Sequence, residues 1–299
     1  MAKITLRSIL LIAPLVLSIP IVSVAQQSSA AKPIVFAVLD DGKTLEPIVN
    51  LNKQKLEAPV NGSDDATAIA AFNKAYYKKG TAYKLIFGGA SAGTVTVQSS
   101  EPKSDCGKNL ATATTKTTKT PLKGFVMGLA TNAPIKSTTS FRRKPTAAEK
   151  TEADALARAE FAKQKLSPKE LRFQNLTAVD LENDGTPELV GTYWVDIDKL
   201  TRGLLFFIAS KGSNGKYSVG FHDYKSVDQG KMMSGASISE VDKGVYHELL
   251  LDVFDTDGDG VSEIFTNVAS FEGAGFNIYK RNGSKFTKAF EGSNYHCAF

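Results

Sequence analysis

Short runs of apolar and β-branched residues, bounded by turn residues and without helical periodicity, fill most of the second half of the chain. Residues 189–197, 203–209, 217–224, 246–254, 263–269, 276–280 and 286–290 read as strands on that pattern, with 212–215 and Asn282-Gly283 as hairpin turns. The first half mixes periods. Residues 34–39 and 44–49 form two apolar runs around the turn 40–43, which suggests a hairpin. A helix follows: Ser63 or Asp64 caps it, Ile69, Phe72 and Tyr76 share one face, and Gly80 ends it. Residues 83–87 and 94–98 are strands joined by the glycine-rich stretch 88–93, the Thr- and Lys-rich segment 103–121 reads as a loop, and 122–130 returns as a strand. After an irregular segment, Thr146 and Glu149 make a capping box. It opens a helix to about residue 165 that buries Ala153, Leu156, Ala157 and Phe161, and Ser167-Pro168 starts a turn or a second helical piece. Residues 228–243 form a loop long enough to carry a binding role, although mobility alone accounts for its composition.

These elements predict an α+β, mainly β fold. A small α+β domain covers residues 33–132 and a linker covers 133–145. A helix plus an antiparallel β domain covers 146–299, with two blade-like units: one of about four strands between residues 189 and 254, and a second that runs to the end.

The first 25 residues have a different character. Lys3 and Arg7 precede an apolar run over 9–21, and Ser23-Val24-Ala25 is a small-x-small cleavage site, so an export signal is expected and a secreted or periplasmic location with it. An uncleaved anchor is the alternative, but Pro14 and Pro20 interrupt a run barely long enough to span a bilayer. The formal net charge of +5 falls close to balance once Lys3 and Arg7 are removed. The densest basic groups, Arg142-Arg143-Lys144, Lys116 with Lys119, and Lys78-Lys79, read as solvated faces, which argues against a nucleic-acid partner. Cys106 and Cys297 are the two cysteines. Paired, they would close a loop of about 190 residues and stabilise the fold by on the order of 5 kcal/mol; two separate thiols are the alternative.

One stretch declares a chemistry. Asp255, Asp257, Asp259 and Glu263 hold positions 1, 3, 5 and 9 of a short loop, with Gly260 at position 6 and the Val261 carbonyl at position 7. Alternate carboxylates on a tightly curled loop supply several of the six to eight oxygens that Ca²⁺ takes, and a divalent cation removes their mutual repulsion. An EF-hand needs a bidentate Glu at position 12, and that position is Thr266; the flanks are strand-like as well. A second copy lies upstream, with Asp180, Glu182, Asp184 and Glu188 at the same four positions, Gly185 at 6 and the Thr186 carbonyl at 7. The two copies start 75 positions apart, each between strands, as in a repeated β unit. Asp, Asn and Gly also build ordinary turns, so a solvated connector is the competing reading of both loops.

Asp-x-Asp-x-Asp-Gly-x-x-Glu followed by an apolar pair, with Gly273, Gly275 and Phe276 to follow, resembles the FG-GAP/VCBS calcium repeat of integrin-α-like β-propellers and many exported bacterial proteins. The resemblance covers residues 176–299 and implies a structural Ca²⁺ in a loop joining antiparallel strands. Glu263 stands where that family more often has Asp, Glu182 replaces Asp or Asn, and two copies are too few for a closed propeller.

Other chemistry is less well supported. Gly89-Ala-Ser91-Ala-Gly93 matches the nucleophile-elbow pattern, but Thr94 to Val97 alternates like a strand, so a glycine-rich hairpin is the better reading; His222 and His247 would be the partners of a serine hydrolase. None of the three histidines has zinc spacing. Tyr193 and Trp194 could stack on a sugar, but such positions are more often sheet core. The expectation is therefore an exported calcium-binding β module, non-enzymatic, that binds or scaffolds a protein or glycan partner. A secreted hydrolase and a carbohydrate-binding or adhesion protein, each with structural calcium, are the alternatives.

Overall fold

Strand β1 (Ile34–Leu39) is buried on both faces, and this shows where it sits. Its even positions Ile34, Phe36 and Val38 belong to one apolar cluster, while Val35 and Ala37 belong to another. The first cluster fills a small antiparallel barrel. In ring order, β1 is followed by β7 (Gly128–Thr131), β4 (Ala82–Phe87), β5 (Ala90–Ser100), β6 (Ala111–Thr117) and β2 (Thr44–Asn52), which pairs back to β1; β3 (Lys55–Glu57) extends β2 as a hairpin. Helix α1 (Ala66–Tyr76), capped by Asp65 rather than Ser63 or Asp64, packs Phe72 and Tyr76 against Phe36. The coordinates are a computed structural model that describes residues 31–299 apart from 54, 119–120, 138–140 and 298–299, so the expected leader lies outside the described residues.

The remaining strands form two further antiparallel sheets. One has the order β12 (Tyr217–Asp228), β11 (Thr201–Lys211), β10 (Glu188–Asp196), β9 (Arg172–Val179) and the two-residue β8 (Arg142–Arg143). The other is a meander of β13 (Glu248–Phe254), β14 (Glu263–Ala269), β15 (Gly273–Asn282) and β16 (Lys285–Tyr295). The two units are β9 to β12 and β13 to β16, each with an acidic loop between its first two strands; the strand at 246–254, expected to close the first unit, instead opens the second, because it pairs with β14 across the acidic loop.

The β13–β16 sheet is sandwiched. Leu249, Leu251, Phe265, Phe276 and Ile278 meet Val35, Val49 and Leu129 of the barrel, while Leu250, Ile264 and Tyr279 meet Val190, Phe206 and Ile208 of the other sheet. Burial on both faces is why Leu249-Leu250-Leu251 reads as an unbroken apolar run. Helix α2 (Ala147–Lys163) opens with the expected capping box and covers the outer face of the five-stranded sheet through Ala153, Ala157 and Phe161. Ala133 and Ile135, from the segment between the halves, pack into the cluster shared with the barrel, and residues 31–299 group as one compact unit. Cys106 and Cys297 are joined in a disulfide, tying the end of the chain to the barrel.

Three local expectations fail for identifiable reasons. The Thr-rich segment expected as a loop contains β6, because Ala111 and Ala113 alternate inward and threonine suits a pleated, half-buried surface. The segment 228–243 is not an open loop: helix α3 (Ile238–Asp242) buries Ile238 and Val241 against Trp194. Arg142 is not on a solvated face. Its side chain is 5% exposed, sits 3.7 Å from the fully buried Asp252, and donates to the carbonyls of Met127 and Leu251. Among the described residues, no helix is long and apolar enough to cross a membrane.

Candidate metal centre

The two acidic loops are built on one backbone plan. Position 4 of each has positive φ, 57° at Asn183 and 81° at Gly258, and so does position 6, 83° at Gly185 and 93° at Gly260. Glycine, or asparagine more rarely, is what those left-handed positions take, and the two kinks curl the alternate carboxylates inward. Asp180 and Asp255 then play the same part: each accepts from two N–H groups of its own loop, Asp184 and Gly185 in the first, Gly258 and Gly260 in the second. The position-9 residues Glu188 and Glu263 are buried at the first residue of β10 and β14. The loops are neighbours, since the Ser262 N–H donates to the Leu181 carbonyl at 2.9 Å and Val261 packs beside Leu181.

The contents of the loops differ. In the second, Asp255, Asp257 and Asp259 each bring a carboxylate oxygen within 4.8 Å of the others. Asp257 accepts the Asp259 N–H, Asp259 accepts the Val261 N–H, and Glu263 accepts the Thr256 N–H and hydroxyl. Each of these three therefore commits one oxygen to the loop. The other oxygen faces the Lys280 ammonium, at 2.5 Å for Asp257, 3.1 Å for Asp259 and 3.5 Å for Glu263. Lys280 is held above the ordinary lysine range chiefly by its bond to Asp257, the Val261 N–H holds Asp259 below the usual carboxylate range, and burial pushes Glu263 up.

This donor set fits a hard divalent cation: all its atoms are carboxylate oxygens, three of them converge, and each is oriented by a backbone or hydroxyl donor. The chain already focuses a positive charge there in the form of Lys280. Asp255, Asp257, Asp259 and Glu263 are the residues that would hold Ca²⁺; Val261 is half-buried beside them.

In the first loop, Glu182 and Glu188 both turn to Arg281, whose Nη1 lies 2.9 Å and 2.7 Å from them. Asp184 accepts the Thr186 N–H, and Thr186 is exposed. Burial pushes Glu188 up to about 7, with Arg281 opposing the shift. Among the described residues, three metal-competent carboxylates come together in the second loop only.

Lys280 and Arg281 are the site residues that the loop motif does not reveal. They are consecutive on β15, so their side chains leave opposite faces of the sheet. Lys280 follows the face of Phe276 and Ile278 to its own sheet's loop, whereas Arg281 follows Tyr279 toward the sheet that carries the first loop. The signal in the sequence is a pair of cations ending an otherwise apolar strand.

The other candidates are placed less suggestively. Ser91 is the second residue of β5, in a hairpin where Gly88 and Gly89 have positive φ, and strand rather than helix follows it. His222 faces Glu160 at 3.5 Å, and His247 is 1% exposed with its pKa lowered by burial to about 4. Trp194 is 7% exposed, with the Arg172 guanidinium 4.6 Å from its ring, and offers no open face to a sugar. Tyr193 is fully buried and donates to Asp154 at 2.8 Å. Comparison with protein-family models, with curated proteins and with solved structures finds no match to this chain.

Proposed function

We propose that the chain is an exported, calcium-stabilised β module of the FG-GAP/VCBS kind that acts without catalysis, as a binding or scaffolding protein. The observation that carries this reading is the convergence of Asp255, Asp257 and Asp259 at the junction of β13 and β14, a strand junction backed by core on both sides. Calcium there supplies charge compensation for carboxylates that the fold holds together, and the residues around it fix the loop rather than present a reactive group. Glu263 anchors the far end of the loop to β14, and Asp255 pins positions 4 and 6 through their N–H groups. The disulfide supports export, because such bonds persist mainly in oxidising compartments.

The test is calorimetric titration of the purified chain with CaCl₂, alongside thermal melts in calcium and in EDTA. Saturable binding with a higher melting temperature in calcium is expected. Equal melting temperatures and no binding heat at millimolar calcium would overturn the proposal.

A further inference from the structure

The two loops share one backbone plan but not one counter-charge. Arg281 is anchored twice: Nε donates to the Gly283 carbonyl at 2.9 Å, at the β15–β16 turn, and Nη1 reaches Glu182 and Glu188. Its side chain is 21% exposed, against 39% for Lys280. A guanidinium stays charged at any working pH and holds its fork geometry, whereas an ammonium on a four-carbon stem swings away with little cost. The carboxylates differ in the same sense. Position 1 is alike in both, since Asp180 and Asp255 each spend both oxygens on N–H groups, but in the 180–188 loop Glu182, one methylene longer than the Asp257 it corresponds to, reaches out to Arg281. In the 255–263 loop three oxygens converge on the one ammonium of Lys280.

From this geometry, and resting on the metal reading above, we propose that Arg281 is the resident cation of the first loop, so that the chain holds one calcium ion, in the 255–263 loop. Arg281 then determines metal stoichiometry without being a ligand. Lys280 is the placeholder that yields when calcium arrives, and Arg281 is the one that does not.

Isothermal titration of the chain with CaCl₂ tests this across four forms. The parent chain is expected to take one ion. Asp259→Asn should weaken binding at least tenfold, since carboxylate count sets affinity in such loops, and Asp184→Asn should leave it within about twofold. Arg281→Met, which keeps the apolar stem and removes the charge, should gain a second, weaker ion. The inference is overturned by two ions in the parent chain, by loss of the ion in Asp184→Asn with retention in Asp259→Asn, or by a folded Arg281→Met that still takes one. No binding in any form overturns the metal reading and this inference together. Should Arg281→Met not fold, the parent count and the two loop variants still decide.

Discussion

Arg142 and Asp252 offer the sharpest test of how the three sheets are held together. Asp252 is fully buried in β13, where it accepts the N–H groups of Gly88 and Val253, each at 2.9 Å, while Arg142 of β8 stands 3.7 Å away and stacks on Phe87. Burial pushes Asp252 up to about 7 despite those partners, and burial also lowers Arg142. At 3.7 Å and an effective dielectric near 20 the mutual attraction is about 4.5 kcal/mol, within the range of roughly 3–5 kcal/mol by which removing one partner of a buried pair destabilises a fold.

Arg142→Met removes that attraction and strands the carboxylate, so its effect depends on pH in a calculable direction. A carboxyl whose folded pKa lies above its unfolded value contributes most at low pH, and the fold loses stability as pH rises from about 4 through about 7. Without Arg142 the folded pKa climbs further and the loss extends to higher pH. At pH 5 Asp252 is protonated in the folded state, so the variant should lose only the bonds to the Met127 and Leu251 carbonyls, roughly 1–3 kcal/mol. At pH 8.5 the full loss of about 3–5 kcal/mol is expected. Urea melts followed by fluorescence of Trp194, the single tryptophan, at fixed calcium measure both. Arg142→Met/Asp252→Asn should recover part of the loss at pH 8.5, because no buried charge remains. Equal losses at the two pH values, or a double variant no more stable than the single one at pH 8.5, refute the reasoning.

Other perturbations act on separate parts of the molecule. Chelation with EDTA, starting from calcium at about 100 times its dissociation constant, should remove about 2.7 kcal/mol, or roughly 5–10 °C of melting temperature. Asp259→Ala should reproduce most of that shift and Asp184→Ala less; an equal or larger loss from Asp184→Ala would reverse the ranking of the loops. Breaking the Cys106–Cys297 bond, which spans 191 positions, should lower stability by about 5 kcal/mol in the chain-entropy model, read as a fall in urea midpoint for a Cys106→Ser/Cys297→Ser variant. The His296 Nε2–H donates to the buried Glu46 carboxylate at 2.9 Å, and that bond raises the histidine pKa. A raised histidine stabilises fully below about 6.5 and progressively less as pH climbs through the folded value, so Glu46→Gln should flatten this part of the pH–stability curve.

What was legible in the chain follows from how local each feature is. The two acidic-loop backbones could be read because a nine-residue loop carries its own geometry in Asp, Asn and Gly positions, and the Thr146 cap because one turn of helix decides it. Antiparallel neighbours could be read because hairpins join strands adjacent in sequence, but the division into two sheets could not, since the strand at 246–254 leaves the unit expected for it and pairs with β14. Closure of the barrel could not, since it depends on β1 pairing with both β2 and β7, the latter almost a hundred residues away, and on β6 being recognised as strand when its outward face is all threonine and lysine. Charge was the poorest guide. Arg142 sits in a basic run that looks solvated, yet folding buries it and leaves Arg143 beside it outside, paired with Glu149. Lys280 and Arg281 show the same limit at the site itself. Alternation along β15 sends two adjacent cations to two different loops, so which loop receives the lysine and which the arginine is set by a one-residue step along a strand that no motif in either loop records.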